Sequence, residues 1–307
     1  MKVLILGGAG YIGSVLTNYL KEKGDEVVIY DNFLYDKDSD IHSDILDINA
    51  LVPAIQNSEA VVNLAGLSND PTSDIKPEVT WKMNYLANQT ITDLLKSSGK
   101  RVVYASSCSV YGFGDKEFNE LSKLHPVTLY ARTKMLSEPL YLQKDMNSIV
   151  LRFATVYGMS PNPRLDLVVN TMIATAHFEK VVRVNGGNQW RPVIHVKDVA
   201  QAIWRSLHNI NNKVYNVGSN EQNYLISDLG EIISTSMGVD LALNTDSPDN
   251  RSYKVNFDKI KELGFEPLYD VYYAIDEFNE AFKNGVIKNM TDDKYFRINY
   301  LKKYVSF

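Results

Sequence analysis

Apolar stretches of strand length alternate with amphipathic stretches of helix length through the first half of the chain. The apolar stretches predict strands near residues 2–6, 26–30, 60–65, 101–106 and 149–153, and the amphipathic ones predict helices near 12–23, 77–97 and 128–146. This alternation is typical of an α/β fold in which helices cover both faces of a doubly wound parallel sheet. The stretch 101–106 is apolar enough to form a central strand.

Proline and glycine become frequent after about residue 155, and the pattern changes there. Short strands are predicted near 181–185, 193–196 and 213–217, and helices near 165–179, 198–208, 226–237 and 270–284. We therefore predict a first part, residues 1–155, interleaved with a smaller C-terminal α/β part, residues 156–307. Residues 294–307 mix aromatic side chains with lysines, and we expect an arm packed on the surface.

A glycine-rich turn joins the first predicted strand to the first helix. Gly7, Gly10 and Gly13 follow G-x-x-G-x-x-G spacing, which suits a tight turn, close approach of a pyrophosphate and close helix packing, respectively. The helix N-terminus then faces the phosphate charge. Asp31 ends the next strand, where a carboxylate accepts hydrogen bonds from an adenosine ribose and repels a 2′-phosphate. The turn therefore predicts a Rossmann-type site for NAD rather than NADP; the alternative is a strand–turn–helix that binds no phosphate.

The composition of residues 32–40 also favours NAD over NADP as the cofactor. This segment contains no arginine to accept a 2′-phosphate, and it carries Asp36, Asp38 and Asp40.

A tyrosine and a lysine are the candidate catalytic pair. Tyr130 and Lys134 share one face of the predicted helix at i and i+4, some twenty residues after Ser107 ends the central strand. A lysine ammonium beside a phenol is expected to lower the phenol pKa toward neutrality and so provide a general base for alcohol oxidation. One of the serine hydroxyls at the strand end, Ser106, Ser107 or Ser109, is expected to hold the same substrate oxygen. Tyr19 and Lys23 have the same spacing, but Tyr19 belongs to the apolar stripe of the first helix and has no catalytic neighbour, so we expect it to be a core residue. For Tyr130, the alternative is a packed aromatic beside a solvated lysine.

Composition narrows the class of protein. The 307 residues are 45% hydrophobic and 22% charged with a net charge of -5, which favours neither nucleic acid nor an acidic membrane surface as partner. Cys108 is the one cysteine, which excludes an internal disulfide and suits a reducing compartment. The chain opens on a core strand and has no apolar run near the roughly 18 residues of a membrane span. We therefore expect a cytoplasmic protein without a signal peptide.

The ordered motifs resemble the extended short-chain dehydrogenase/reductase superfamily, in its NAD-dependent epimerase/dehydratase family of nucleotide-sugar enzymes, over about residues 1–285. The motifs that carry the resemblance are the glycine turn, Asp31-Asn32, Asp44-Ile45, Asn63-Leu64-Ala65-Gly66, Asn84, the set Ser107, Tyr130 and Lys134, residues 191–198 (Arg-Pro-Val-Ile-His-Val-Lys-Asp) and Arg251.

The resemblance implies roles for these residues. The implied catalytic residues are Tyr130, Lys134 and Ser107. The implied NAD-binding residues are Gly7, Gly10, Tyr11, Ile12, Gly13, Asp31, Asn32, Asp44, Ile45, Leu64, Ala65, Gly66, Asn84 and Lys134. The implied substrate-binding residues are Ser107, Thr155, Asn170, Arg191 and Arg251, with the arginines on the substrate diphosphate and no metal in the site. On this resemblance residues 1–155 hold NAD and the catalytic residues, and residues 156–307 mainly bind substrate.

Some positions depart from the family pattern. Cys108 and Ser109 stand where the water-removing members carry Asp-Glu, and neither side chain can act as a carboxylic acid near neutral pH. Dehydration is therefore disfavoured, as is the decarboxylase branch, whereas the 4-epimerases have small neutral residues here. Thr155 replaces an asparagine common in the family, and residues 164–170 differ from the galactose epimerases. This combination looks more similar to a branch acting on precursors of bacterial surface sugars, including nucleotide-heptose C4 oxidases.

The resemblance therefore implies NAD-dependent oxidation at C4 of a nucleotide-diphosphate sugar, most simply by an epimerase. The alternatives are a nucleotide-sugar C4 dehydrogenase or ketoreductase, for example on a nucleotide-heptose, and a catalytically silent NAD-binding regulator.

The resemblance also implies a homodimer through the helices near 77–97 and 128–146. Their apolar residues are Val79, Met83, Leu86, Ile91 and Leu94 on the first, and Tyr130, Met135, Leu136, Leu140, Tyr141 and Leu142 on the second. The alternative is that all of these side chains pack on the sheet.

Overall fold

The computed structural model describes residues 1–32, 40–68, 70–209, 211–244 and 251–304. Asp36 and Asp38, used in the cofactor prediction, lie outside the described residues. The strands are β1 Lys2–Leu6, β2 Glu26–Asp31, β3 Ile41–His42, β4 Ala60–Asn63, β5 Arg101–Ser107, β6 Glu117–Phe118, β7 Asn147–Phe153, β8 Thr155–Tyr157, β9 Val181–Asn185, β10 Trp190–His195, β11 Lys213–Val217, β12 Asn223–Leu225, β13 Asp240–Asn244 and β14 Lys254–Val255.

The helices are α1 Tyr11–Glu22, α2 Ile48–Gln56, α3 Asp70–Ser73, α4 Pro77–Trp81, α5 Ala87–Leu95, α6 Leu129–Tyr141, α7 Val168–Glu179, α8 Val196–His208, α9 Ile226–Met237, α10 Val271–Lys283 and α11 Arg297–Tyr304. A π-helical turn, Lys82–Leu86, joins α4 to α5. Short 3₁₀ turns cover Cys108–Tyr111, Asn220–Gln222, Lys259–Leu263 and Asp293–Tyr295.

Seven strands form the central sheet in the order β11-β7-β5-β4-β1-β2-β3, and every adjacent pair is parallel. The predicted α/β fold is confirmed, and β5 is an interior strand between β4 and β7. From β1 the chain builds outward first through β2 and β3, then on the other side through β4, β5 and β7. The carboxyl ends of β1 and β4 therefore flank a topological switch point, where open α/β sheets bind ligands.

Both faces of the sheet are covered by apolar side chains. On one face, Leu16 of α1 and Ile203 of α8 pack with Ile5 of the sheet. On the other, Leu51 of α2 and Ile91 of α5 join a separate cluster. A parallel sheet requires cover of this kind because both faces of each strand are buried.

Two predicted helices differ in detail from the structure. The helix predicted at 77–97 is confirmed as one uninterrupted helical run over residues 77–95, whose middle turn, Lys82–Leu86, is π-helical instead of α-helical. The helix predicted to reach 146 ends at Tyr141, since Leu142 starts a turn before β7 begins at Asn147. The sequence prediction also missed α2, which Asp47 caps by accepting the backbone N–H of Asn49 at 3.0 Å.

The second half of the chain contributes both to the large sheet and to structure of its own. β11 pairs with β7 at the edge of the large sheet. The smaller sheets are β12-β10-β8, β13-β9 and β14-β6. A further apolar cluster joins Ile173 of α7, Leu229 of α9 and Phe278 of α10. The division of the chain near residue 155 stays a prediction.

Among the described residues, no helix combines the length and the apolar character needed to cross a bilayer. The cytoplasmic location stays a prediction.

Candidate active site

The glycine turn packs tightly against the end of β4. Gly7 has a φ of +79°, and a Cβ there would lie 2.9 Å from the backbone of Ala65. A Cβ on Gly13 would lie 2.4 Å from the carbonyl oxygen of Gly7. Gly10 precedes α1 and donates its N–H to the same oxygen at 3.2 Å. A Cβ at Gly7 or Gly13 would collide with backbone atoms, so this tight turn requires glycine at both positions. A tight glycine turn that leads into a helix N-terminus fits a pyrophosphate.

A cavity lies in front of this turn. It is lined by Gly7, Gly10, Tyr11, Ile12, Gly13, Tyr30, Asp31, Asn32, Ser43, Ile45, Leu64, Ala65, Gly66, Leu67, Ser68, Met83, Ala105, Ser106, Tyr130, Lys134, Phe153, Arg164 and Arg297. We call it the cofactor cavity. It contains most of the residues predicted to bind NAD.

Asp31 stands at the end of the cofactor cavity that suits an adenosine. Its Oδ2 accepts the N–H of Ala9 at 3.0 Å, which holds the carboxylate beside the glycine turn. Ile45 lines the same wall. Asp44 does not line the cavity: its carboxylate accepts the N–H of Leu46 at 2.9 Å, and its carbonyl accepts the Tyr30 hydroxyl. Asp44 therefore shapes the loop that carries Ile45.

Asn84 acts on the cavity wall and does not line the cavity. Its side chain is buried in the π-helical turn, accepts the N–H of Leu67 at 2.8 Å and donates to the Leu67 carbonyl at 2.9 Å. These two bonds fix the segment after β4, whose Leu64 and Gly66 face the cavity. These bonds give Asn84 a positioning role in this structure, and its place among the NAD-binding residues stays a prediction.

A second cavity opens from the first toward the C-terminal half. It is lined by residues that include Ser107, Ser109, Thr155, Asp166, Arg191, Arg251 and Tyr253. Seven residues line both cavities: Tyr11, Ile12, Ser68, Ser106, Tyr130, Phe153 and Arg164. We call this second space the substrate cavity. Tyr130 therefore lies where the two cavities meet.

The predicted catalytic side chains divide between the two cavities. Lys134 lines the cofactor cavity and Ser107 the substrate cavity, on either side of Tyr130. Lys134 Nζ donates to the Ala105 carbonyl at 2.7 Å and lies 5.8 Å from the centre of the Tyr130 ring. The Ser109 hydroxyl lies 2.9 Å from that of Ser107. The helix pattern and the strand end thus bring the three side chains together.

Burial dominates the ionisation of this pair. Burial, and then the Asp70 carboxylate, raise the pKa of Tyr130, while Arg164 and a hydrogen bond with Ser107 oppose the rise. Burial lowers the pKa of Lys134 from 10.5 to about 8. The prediction that Lys134 brings the pKa of Tyr130 toward neutrality is wrong for this structure, because desolvation outweighs an ammonium that points at a backbone carbonyl.

The arginines of the substrate cavity are held in place by the chain itself. Arg191 is largely buried, donates to the carbonyls of Trp190 and Arg251, and lies over the Tyr253 ring. Arg251 forms an ion pair with Asp70. A substrate diphosphate would therefore compete with the Asp70 carboxylate for Arg251.

Asn170 does not reach the substrate cavity. It is fully buried in α7, where its Oδ1 accepts the N–H of Gly158 at 2.9 Å and its Nδ2 donates to the Arg164 carbonyl at 2.8 Å. The side chain fixes the loop between β8 and α7, and a role of Asn170 in substrate binding stays a prediction.

The sequence analysis missed several residues of the site. Ser106 lines both cavities and donates to Glu138 at 2.6 Å, and Glu138 pairs with Arg152 beneath the sheet. Asp70 accepts a hydrogen bond from Thr128, the N-cap residue of α6, and so lies beside Tyr130. Arg164 comes from a loop and Arg297 from the C-terminal arm, so only the folded chain places them in the cavity.

Tyr19 lies away from both cavities. Its ring is 6.4 Å from that of Trp204, and Lys23 Nζ is 5.3 Å from its centre. The described residues contain no cluster of three or more His, Cys, Asp or Glu side chains that could hold a metal ion.

Comparison with known proteins places this geometry in a family. A family model described as the NAD-dependent epimerase/dehydratase family matches residues 3–218. The UDP-N-acetyl-alpha-D-glucosaminuronate decarboxylase of Bacillus cytotoxicus is 26% identical, covering 87% of this chain and 87% of its own. The UDP-glucose 4-epimerase of Corynebacterium glutamicum is 28% identical, covering 72% and 76%. The solved structure of MoeE5 in complex with UDP-glucuronic acid and NAD is 28% identical with a TM-score of 0.82, covering 93% of this chain and 100% of that one.

These findings confirm the predicted fold, the predicted NAD cofactor and the prediction of an NAD-dependent enzyme. Since the family model matches more than half of the chain, the chain belongs to the NAD-dependent epimerase/dehydratase family.

Proposed function

We propose that this protein oxidises C4 of a nucleotide-diphosphate sugar with NAD and that its net reaction is epimerisation. One observation carries the proposal: Tyr130 lies at the junction of the two cavities, with Lys134 on the cofactor side and Ser107 on the substrate side. A base at such a junction can take a hydroxyl proton while the hydride leaves toward the other cavity. The related UDP-sugar enzymes make UDP-sugars the first substrates to test.

The residues divide the work. Ser107 holds the C4 hydroxyl and Tyr130 removes its proton as the C–H bond breaks. Bound NAD supplies the positively charged nicotinamide ring that accepts the hydride. Lys134, fixed by the Ala105 carbonyl, presents its remaining N–H groups to the nicotinamide ribose. In the epimerase the keto-sugar turns within the substrate cavity, regains hydride on its other face and recovers the proton from Tyr130.

The residues after Ser107 argue against elimination of water. Cys108 is fully buried with its thiol against the Arg152 carbonyl at 3.3 Å, and burial raises the pKa of that thiol. The Ser109 hydroxyl bonds Ser107. Neither residue supplies a carboxyl group to protonate a leaving hydroxyl.

Decarboxylation is the second candidate, and the relatives named as decarboxylases are what favour it. Oxidation at C4 of a sugar uronic acid places a ketone β to the carboxylate, which readily loses carbon dioxide, so the same Tyr130 step would serve. Net oxidation or reduction at C4 is a further alternative. It rests on Thr155 and residues 164–170, which depart from the pattern of the galactose epimerases. A silent NAD-binding regulator is disfavoured, since Tyr130 and Lys134 both face the cavity.

Tyr130→Phe tests the assignment. We expect turnover of the best UDP-sugar to fall about 10²–10⁴-fold, with NAD affinity retained, because the ring stays and the transferable proton goes. Tyr19→Phe is the matched control and should leave turnover nearly unchanged. Equal behaviour of the two variants would overturn the role of Tyr130.

We also propose a homodimer through α6 and the helical run formed by α4, the π-helical turn and α5. Leu86 is 40% exposed and Leu136 is 39% exposed, which leaves apolar side chains on the faces that the family often pairs. Two of the predicted contact residues are excluded, since Ile91 and Tyr141 are fully buried in this chain's own core.

Light scattering at micromolar concentration tests the dimer. Wild type should have the mass of two chains, and Leu86→Asp the mass of one. Leu121→Asp is the control, because Leu121 is 94% exposed in a loop outside these helices. A wild-type monomer, or a dimer unchanged by Leu86→Asp, would contradict this interface.

A further inference from the structure

The C-terminal arm is tied to the loop that covers the glycine turn. Tyr295 and Leu301 of the arm are buried, and the Tyr295 carbonyl accepts the N–H of Leu165 at 2.9 Å. The backbone N–H of Arg297 donates to Asp166 at 3.3 Å. The arm therefore packs along the segment that follows β8.

That segment in turn braces the glycine turn. Asn162 donates from Nδ2 to the Ala9 carbonyl at 2.9 Å, and Ser160 donates to the Tyr11 carbonyl at 2.7 Å. Arg297 donates from its guanidinium to Asn162 Oδ1 at 2.9 Å. A continuous line of hydrogen bonds thus runs from the arm through Asn162 to the residues that precede α1.

Arg297 itself reaches the cofactor cavity. It is 3% exposed, yet it lines the cavity together with Gly10, Tyr11 and Ile12. Guanidinium groups give planar, paired donors that match phosphate oxygens, and the nearby helix N-terminus favours the same negative charge.

Arg164 adds a second guanidinium to this wall. It is 6% exposed, pairs with both oxygens of Asp166 at 2.9 and 3.0 Å, and donates to Ser68 at 3.1 Å. Arg164 and Arg297 thus bring two guanidinium groups to the wall of the cofactor cavity. A dianionic pyrophosphate is the part of NAD that suits guanidinium groups.

We propose that the C-terminal arm delivers Arg297 to the pyrophosphate of NAD, opposite the glycine turn, so that the arm retains the cofactor. Arg164 holds Asp166 beside it and adds to the positive field. The proposal concerns cofactor binding and uses no step of the sugar reaction, so absence of turnover on every sugar would leave it standing.

Calorimetry on the full chain with adenosine, ADP and NAD tests the proposal. In Arg297→Gln we expect the Kd for ADP and NAD to rise roughly 10- to 100-fold, because a charge-assisted contact is lost, with the Kd for adenosine within about twofold of wild type. Arg297→Lys should recover part of the loss. Lys303→Gln, an exposed lysine of the same arm that pairs with Asp293, is the control and should bind all three ligands as wild type does.

Two outcomes would overturn the proposal: unchanged binding of ADP and NAD by Arg297→Gln, or equal weakening of all three ligands, which indicates a structural role. If Arg297→Gln does not fold, amide hydrogen exchange on wild type decides. ADP and NAD should slow exchange in residues 293–304, and adenosine should not. Equal protection by all three ligands, or none, would contradict a pyrophosphate contact.

Discussion

Burial of the charged Lys134 side chain in the site is expected to lower the free energy of unfolding of the protein. Its side chain is 7% exposed, and burial lowers its pKa from 10.5 to about 8. A drop of this size corresponds to about 3 kcal/mol of penalty for the charged form in the folded protein. The hydrogen bond to the Ala105 carbonyl at 2.7 Å offsets roughly 1–2 kcal/mol of this penalty. Lys134→Met keeps the length of the side chain and removes the charge, so it should raise the free energy of unfolding at pH 7 by about 1–2 kcal/mol.

The sign of the pH dependence follows from the lowered pKa. Between pH 8 and 10.5 the unfolded chain binds more protons at Lys134 than the folded protein does. Wild-type stability should therefore rise with pH across this window relative to Lys134→Met, and the advantage of the variant should shrink. Below pH 8 the difference should be constant.

Urea unfolding followed by tryptophan fluorescence measures both quantities. Lys23→Met is the matched control, because Lys23 is exposed and also follows a tyrosine by four residues. It should change the free energy of unfolding by less than about 1 kcal/mol. A Lys134→Met variant less stable than wild type at pH 7, or a stability difference independent of pH, would refute the reasoning.

Three further outcomes are expected. Asp70→Asn removes a carboxylate that raises the pKa of Tyr130, so the acidic limb of the kcat–pH profile should move to lower pH; an unchanged or upward shift would argue against Tyr130 as the base. Gly13→Ala places a Cβ 2.4 Å from the Gly7 carbonyl, so unfolding in urea should show a loss of about 1–3 kcal/mol and calorimetry weaker NAD binding; wild-type values would mean that α1 shifts freely. NAD should bind more tightly than NADP in calorimetry because the Asp31 carboxylate repels a 2′-phosphate, and equal or tighter NADP binding would contradict the ribose assignment.

The parts of the site that the sequence predicts are those made by neighbours in the chain. The glycine turn, the strands on either side of it and the helix pair Tyr130 and Lys134 depend on local spacing, and the structure places them as predicted.

Other features depend on contacts between distant segments, which spacing cannot reveal. Asn84 lies in the π-helical turn and bonds the backbone of Leu67, 17 residues earlier in the chain. The side-chain amide of Asn170 forms hydrogen bonds with the backbone of Gly158 and Arg164. The ionisation of Tyr130 reflects burial and Asp70, neither of which the motif contains.

The C-terminal arm shows the same limit. Residues 294–307 were expected to pack on the surface, yet Arg297 is buried and lines the cofactor cavity. Its partner Asn162 is 135 residues away in the chain. Such a contact becomes visible only when the fold brings the two segments together.

Product analysis of UDP-sugars incubated with the protein and NAD tests the central claim most directly. Chromatography and mass spectrometry would follow UDP-glucose, UDP-galactose, UDP-glucuronic acid and their N-acetylated forms, with NADH absorbance recorded alongside. If C4 is oxidised and the hydride then returns, the product should be the C4 epimer of the substrate and should have the same mass. A deuterium placed at C4 of the substrate should be retained at C4 of the product. A product that has lost water would contradict the account, and exchange of the C4 deuterium with solvent would contradict hydride transfer between the two cavities that meet at Tyr130.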